Sequence, residues 1–323
     1  MTQSSLIQIA RQEKTRREIL LKSDLIPPLP DLVARLLGIL NKQETEPEDI
    51  EGLLQNDQVL VAKLLAMVNS PFYGLNRSIR TIREAVMVLG FRGVRSLVLA
   101  TSTAKFLQRD FGWYGHEPKG LWLHAVCVAS GSRLLAKHCE MSIDDCEQLF
   151  VGGLLHDIGK LLLVNYVQDA PVVTTEDSIT ECERQAVGLD HTEAGALVAA
   201  KWHLVDEIQH VIKGHHDSGA GVEELTEAGK QRIACVRLAD CVAHELGIGY
   251  LAERAPLDPV RMDDLIAVGL SDADWAAMRD AIAVAMEEGV AALGDLTTQS
   301  RACLRIANAL GYGRFVSGVA CLS

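Results

Sequence analysis

The 323-residue sequence lacks several features that would place it in a common protein class. Its eight cysteines are dispersed and none forms a C-x-x-C pair, so the sequence favours reduced thiols over a disulfide framework. Aromatic residues make up 5% of the chain, and the alternating Val, Ile and Thr patterns of strands are nearly absent. The phosphate-binding loop, the nucleophile elbow and the dinucleotide fingerprint are missing, which argues against the enzymes that depend on them.

Positive charge is also scarce. The chain has 31 Lys and Arg against 43 Asp and Glu, a formal net charge of −12, so general nucleic-acid binding is not expected. No uninterrupted apolar run reaches the ~18 residues of a membrane-spanning helix. Residues 1–22 lack the apolar core and cleavage site of a secretory signal, so we expect a cytoplasmic protein without membrane contact.

Helical periodicity dominates what remains, and it predicts an all-α fold. Apolar residues recur three and four apart between residues that start or stop helices. Asp57 and the capping-box pattern of Ser178 to Glu181 predict helix starts, and Gly90 predicts a stop. A buried helix is predicted over 147–166, which is apolar almost all round. The tail is Ala-rich, acidic and without histidine, so it is predicted to be a separate helical appendage, with its last helix over 297–308. The predicted organisation is a leading helix over 1–24, a core over 25–250 divided into lobes over 25–115 and 116–250, and a helical tail over 251–323.

Seven side chains suited to metal binding occur in short motifs of the second half. Five of the ten histidines belong to this set, which includes a His-Asp pair in LLHDIGK and a His-His pair in KGHHD. Imidazole nitrogens and carboxylate oxygens are the ligands of hydrolytic Zn, Mn and Fe centres. Each residue alone is more often a satisfied polar group of the core, but together they favour a metal site. The seven candidate ligands are His124, His156, Asp157, His191, His215, His216 and Asp240.

Two of the motif residues also suggest catalytic roles. Adjacent residues on a helix point about 100° apart, so His156 and Asp157 can flank two ions, with Asp157 bridging them. Lys160 projects from the same side as this pair and is a candidate clamp for a phosphate oxygen. Glu193 is a candidate acceptor for His191, although a surface glutamate is the simpler interpretation. The remaining histidines are interpreted as structural or solvated: His116, His138, His203, His210 and His244.

These motifs resemble those of a known superfamily. LLHDIGK is similar to the signature of the HD superfamily of metal-dependent phosphohydrolases. The segments PPLPDLVARLL, DQVLVAKLLAMVNSPFYGL, IREAVMVLGFRGVRSLVLATS and LWLHAVCVA resemble the HDOD domain of bacterial signal-transduction proteins, over residues 25–250. The resemblance implies a two-lobed helical fold with an HD-type bundle. It also implies an output module that acts through signalling partners or as a homodimer, usually without demonstrated catalysis and often without the metal ligands, which this chain keeps.

The order of the seven residues also resembles that of the HD-GYP cyclic-di-GMP phosphodiesterases, which implies two ions of Fe, Mn or Zn and a nucleotide ligand. Two features depart from that pattern. DSGAGVEEL follows the His pair where Gly-Tyr-Pro is expected, and Gly120 stands one turn before His124, where some relatives place a carboxylate. We therefore expect a signalling output protein with a two-metal site and little hydrolysis of cyclic-di-GMP. A phosphohydrolase acting on a nucleotide or cyclic dinucleotide is the alternative, and a metal-free scaffold is a third interpretation.

Overall fold

The chain folds into packed helices in its computed structural model. An isolated bridge between His116 and Tyr250 is the one β-type pairing in the described part of the chain, so the predicted all-α fold is confirmed. The structure describes residues 3–21, 27–40, 46–54, 57–70, 73–168, 178–216, 224–251, 259–293, 305–306 and 310.

The first lobe is built on one long helix. Its helices are α1 (Gln3–Leu21), α2 (Asp31–Leu40), α3 (Pro47–Leu54), α4 (Gln58–Val68) and α5 (Ile82–Leu107). Helices α2, α3 and α4 pack against α5, whereas α1 reaches across to the second lobe.

Local start and stop signals set these helices. Asp57 accepts a hydrogen bond from the Leu60 backbone N–H and so caps α4, as its position before an apolar run predicts. Gly90 has φ of 70° inside α5, so the helix is kinked at the predicted stop. Both features depend on sequence neighbours alone, which is why the sequence predicts them.

The second lobe surrounds a central helix, α6. The helices are α6 (Gly120–His138), α7 (Ile143–Leu155), α8 (Lys160–Val167), α9 (Ile179–Val187), α10 (His191–Lys201), α11 (Asp206–Gly214) and α12 (Glu227–Glu245). Helix α6 is buried along nearly its whole length between α7 and α12. Its polar residues are therefore enclosed by protein and need internal partners.

The prediction of one continuous helix over 147–166 is wrong in one respect. Helix α7 ends at Leu155 and α8 begins at Lys160, and residues 156–159 form a tighter turn in which the Lys160 N–H bonds to the Asp157 carbonyl at 3.0 Å. Gly159 explains the close packing here, because a Cβ at this position would lie 1.9 Å from the His191 carbonyl oxygen. The turn holds the His-Asp motif against the start of α10.

The tail does not stand apart from the core, contrary to the expectation from its composition. It contains α13 (Met262–Ala267), which packs on α12, and α14 (Asp272–Leu293), which packs along α6. Ile282 and Met286 of α14 are fully buried. A Cβ on Gly289 would lie 1.9 Å from Ser130 Oγ of α6, so the two helices are in close contact. The predicted helix over 297–308 lies outside the described residues except at 305–306, and the predicted domain boundaries remain predictions.

Two helical stretches, Ile82–Leu107 and Ile143–Val167, are long and apolar enough to cross a membrane by length and composition. In the fold, 56% and 89% of their most apolar segments are buried inside the protein. Core helices pass the same test, so these stretches are accounted for by packing.

Candidate metal centre

The second lobe brings the seven candidate ligands into one cluster. They come from the second turn of α6, the turn between α7 and α8, the first residue of α10, the end of α11 and the C-terminal half of α12. Six of them are buried, whereas His216 is half-buried. The ligand atoms fall into overlapping groups that include Asp157 with His191, His215 and His216, and Asp157 with His124 and His156.

Asp157 lies between two sets of imidazoles. Its Oδ1 is 3.2 Å from His191 Nε2 and 3.9 Å from His215 Nε2. Its Oδ2 is 3.4 Å from His156 Nε2 and 3.9 Å from His124 Nε2. The carboxylate therefore presents one oxygen to each half of the cluster, which is the arrangement of a bridging ligand.

Asp240 completes the half that faces Asp157 Oδ2. Its Oδ1 lies 2.9 Å from His124 Nε2 and 3.7 Å from His156 Nε2. Two ligands bonded to one ion at about 2.1 Å are about 3.0 Å apart at a right angle and about 3.4 Å apart at the tetrahedral angle. The shorter distances in the cluster have the lengths expected between ligands of one ion.

Hydrogen bonds at the far sides of the rings fix which nitrogen faces the cluster. His156 Nδ1 lies 2.7 Å from the Gly153 carbonyl, and His215 Nδ1 lies 2.8 Å from the Ile212 carbonyl. Because a carbonyl oxygen only accepts, each Nδ1 carries a proton, and in the neutral form of each ring the lone pair of Nε2 faces inward. Oriented imidazoles of this kind are typical of metal-ligating histidines.

Two of these lone pairs face each other. His191 Nε2 and His215 Nε2 are 3.2 Å apart, and the Nδ1 of each ring is held by an oxygen, that of His191 by Glu183 Oε2 at 2.7 Å. If both rings are neutral, two lone pairs meet at this distance, and a cation beside them would relieve their repulsion. The donor set and its orientation therefore fit a metal ion.

The electrostatics of the cluster favour ionised carboxylates and, at His124 and His215, neutral imidazoles. At His156, burial lowers the pKa, but Asp157 and Asp240 outweigh burial and raise it above its usual value. Burial alone would raise the pKa of Asp157, but Lys160 and His156 outweigh it and hold that pKa well below its usual range. Burial lowers the pKa of His124 to about 4, against the opposing effect of Asp240. The pKa of His215 is also well below its usual value, because of burial and of neighbouring histidines, among them His216. Unprotonated imidazole is the form that binds metals.

Lys160 is engaged with the bridging carboxylate. Its Nζ lies 2.6 Å from Asp157 Oδ2 and 5.3 Å from the centre of the Tyr114 ring, and the side chain is buried. Lys160 is therefore a buried lysine of the cluster and not a solvated surface residue. Its predicted role as a phosphate clamp stays a prediction.

Glu183 of α9 was not among the site residues predicted from the sequence. The side chain is fully buried, and Oε2 accepts hydrogen bonds from His191 Nδ1 at 2.7 Å and from the His191 backbone N–H at 2.8 Å. Glu193, the acceptor considered from the sequence, is exposed. One signal was available: Glu183 lies four residues before Val187, on the buried side of a short amphipathic helix.

Two of the histidines interpreted as structural or solvated are buried near the cluster. The ring of His244 stacks on His124 with centroids 4.9 Å apart, and its Nε2 lies 3.0 Å from the Tyr250 hydroxyl. His116 Nδ1 lies 3.1 Å from the Gly249 carbonyl, and its ring stacks on Tyr250. His244 stands one helical turn after Asp240, so the sequence did place it on the same face.

Comparisons with known proteins agree with this fold. The family model described as HDOD domain matches residues 26–218. An uncharacterized protein of Treponema pallidum is 28% identical over 211 residues, which are 62% of this chain and 39% of that protein, so the chain spans well under half of this relative.

Two solved structures share the architecture. One is an HDOD domain protein with unknown function from Geobacter sulfurreducens, with a TM-score of 0.57, 25% identity and coverage of 86% of this chain and 99% of the other. The other is a candidate phosphohydrolase from Shewanella amazonensis, with a TM-score of 0.63, 24% identity and coverage of 84% and 96%, a likeness that concerns the fold alone. Since the family match covers more than half of the chain, this protein belongs to the HDOD domain family.

Proposed function

We propose that this protein is a signal-transduction output protein of HDOD type whose second lobe binds two divalent transition-metal ions of Fe, Mn or Zn. The observation that carries the metal site is the convergence of imidazoles on Asp157, whose Oδ1 lies 3.2 Å from His191 Nε2 and whose Oδ2 lies 3.4 Å from His156 Nε2. The HDOD family supports the signalling part of the proposal.

The two halves of the cluster would hold one ion each. Asp157 Oδ1 with His191, His215 and His216 would form one group, and Asp157 Oδ2 with His156, His124 and Asp240 the other. Bound ions would supply Lewis acidity and a water of lowered pKa. The protein's own contribution is to hold the bridging carboxylate ionised and the rings oriented by Glu183 and backbone carbonyls.

The centre also suits a structural role in signalling. Its residues come from five separate segments of the second lobe, so a bound ion would tie those segments into one arrangement. In the cytoplasm, signalling partners or a second copy of this chain would then bind the lobe only in that arrangement. Partners and location are proposals that rest on the family.

A second candidate is a metal-dependent phosphohydrolase acting on a nucleotide or cyclic dinucleotide. The buried ammonium of Lys160 favours it, because that group sits 2.6 Å from the bridging carboxylate. Cations bound to Asp157 would weaken this ion pair and leave Lys160 available to a phosphate oxygen. Residues 217–223, which hold most of the segment that replaces Gly-Tyr-Pro, lie outside the described residues.

Elemental analysis tests the metal site. Protein purified without a chelating column, or reconstituted with Mn²⁺ or Fe²⁺, should contain metal. Asp157→Ala should lose most of it while helical circular dichroism is retained. Asp144→Ala, an exposed carboxylate on α7, is the matched control and should keep the metal. Full metal content in Asp157→Ala, or none in the reconstituted wild type, would refute the proposal.

A turnover assay separates the two candidate functions. We expect little hydrolysis of cyclic-di-GMP by the reconstituted protein. Turnover near the ordinary enzyme range of roughly 1 s⁻¹ or above, abolished by His156→Ala, would make the phosphohydrolase the primary function.

A further inference from the structure

His244 extends the cluster beyond the seven residues of the two-ion centre. It lies four residues after Asp240 on α12, so both side chains project from the same side of the helix. Its Nε2 is 3.5 Å from Asp240 Oδ1, and Asp240 Oδ1 is 2.9 Å from His124 Nε2. One ligand atom from each of these three residues lies within 4.8 Å of the others. These separations are close to the about 3.0–3.4 Å expected between ligands of one ion.

Asp240 is a buried carboxylate whose basic neighbours, among the described residues, are imidazoles. Throughout the described residues, the basic groups within ion-pair distance of Asp240 are the imidazoles of His124, His156 and His244. Asp157 differs, because Lys160 is paired with it at 2.6 Å. A buried carboxylate without a positive charge nearby is costly, so a cation beside Asp240 would stabilise the lobe.

His124 supplies a second, independent sign of a ligand. The side chain is fully buried, yet within the described part of the chain neither of its ring nitrogens has a hydrogen-bond partner of acceptable geometry. Buried polar nitrogens are nearly always satisfied, so an unsatisfied imidazole that faces a carboxylate indicates a missing cation.

The backbone leaves no room for a side chain at two positions beside His124. A Cβ at Gly120, one turn before His124, would lie 1.9 Å from the Gly249 carbonyl oxygen. A Cβ at Gly249, which has φ of 82°, would lie 2.2 Å from the Gly120 carbonyl oxygen. A donor therefore cannot come from position 120 of α6, whereas His244 projects from α12 toward Asp240.

We propose that His124, Asp240 and His244 form a further binding site for a divalent transition-metal ion, beside the half of the centre that faces Asp157 Oδ2. The proposal rests on the two-ion centre, since Asp240 would be shared between the neighbouring ions. His124 Nε2 borders both sites, so with this further ion bound His124 would pass to it, and the adjoining ion would keep His156, Asp157 and Asp240.

The test is a titration of the metal-free full chain with Mn²⁺ or Co²⁺ alone. Binding is measured by calorimetry and, for Co²⁺, also by its ligand-field spectrum. His244→Gln keeps a group that can bond to the Tyr250 hydroxyl, and His244→Phe keeps the ring stacked on His124. Both variants should bind one ion fewer per chain, or bind that ion at least about tenfold more weakly. The affinities for the other ions should stay within about twofold of the wild type. His138→Gln, an exposed histidine at the end of α6, is the control.

Tyr250→Phe keeps the test decisive if the His244 variants fold poorly. It removes the hydroxyl that lies 3.0 Å from His244 Nε2 and leaves both rings in place. If His244 is a ligand, Tyr250→Phe should keep the wild-type number of ions. Loss of the same ion in Tyr250→Phe, or wild-type binding in both His244 variants, would overturn the inference. A wild type that binds two ions, unchanged in the His244 variants, refutes only this inference, whereas a wild type that binds none refutes the proposed function.

Discussion

Removing Glu183 should weaken metal binding without altering any ligand. The side chain is fully buried and receives two hydrogen bonds from His191, one from Nδ1 at 2.7 Å and one from the backbone N–H at 2.8 Å. These bonds set the tautomer and the orientation of the ring. Loss of such a partner lowers metal affinity by about 10–100-fold, or about 1.4–2.8 kcal/mol.

The same change has a cost in the metal-free protein. Glu183→Ala leaves two buried donors on His191 without an acceptor, at about 1–3 kcal/mol each. Glu183→Gln retains one carbonyl acceptor and nearly the same volume, so both losses should be smaller. Glu181→Gln is the matched control, because Glu181 is exposed on the same helix and its recorded partner is Gln185.

The assay is competition for Mn²⁺ or Zn²⁺ against a chromophoric chelator, together with urea unfolding of the metal-free proteins. The expected order of affinity is wild type and Glu181→Gln first, then Glu183→Gln, then Glu183→Ala. If Glu183→Ala is folded and its affinity is within about twofold of wild type, then Glu183 does not position His191 for a metal.

Three further predictions concern stability. Lys160→Met should lower the unfolding free energy of the metal-free protein by about 3–5 kcal/mol, because Asp157 loses its buried cation. The loss should be smaller when metal is bound. Equal losses of unfolding free energy with and without metal, measured by urea unfolding, would contradict this. Met286→Ala should lower the unfolding free energy by about 2–5 kcal/mol, and unfolding should remain one cooperative transition, since α14 is part of the core. A much smaller loss of unfolding free energy would show that the tail is separate. Burial would raise the pKa of Asp190, but the hydrogen bonds from Thr192 and from the Glu193 backbone N–H outweigh it and place the pKa below the ordinary 3.8. The wild type should therefore lose stability relative to Asp190→Asn as the pH falls from about 5 to about 3. If the urea midpoints of the two proteins fall equally over this pH range, the reasoning is refuted.

Features that depend on neighbours in the chain could be predicted. Asp57 caps α4 and Gly90 kinks α5, because a cap and a glycine stop act within one helical turn. The helix over 179–187 was also predicted, although Ser178 does not make the expected cap bond and its hydroxyl contacts Thr180. The break between α7 and α8 was missed, because it depends on the contact between Gly159 and the distant His191.

The candidate ligands were recognised by residue type and motif, but their partners were not. Glu183 and His191 are eight residues apart on different helices, and neither periodicity nor spacing reveals that one holds the other. His244 was visible one turn after Asp240, yet its contact with His124 depends on how α12 packs against α6. Side-chain partners of this kind are fixed by helix packing.

The sequence by itself determined that this chain is helical and that it carries nitrogen and oxygen donors of the metal-binding type. Periodicity and side-chain chemistry are local properties, so they can be read along the chain. Only the tertiary structure decided which ring nitrogens face inward, that Asp157 offers one oxygen to each half of the cluster, and that α14 belongs to the core. These outcomes depend on contacts between segments far apart in sequence, where burial and close packing select one arrangement among many that the local pattern allows.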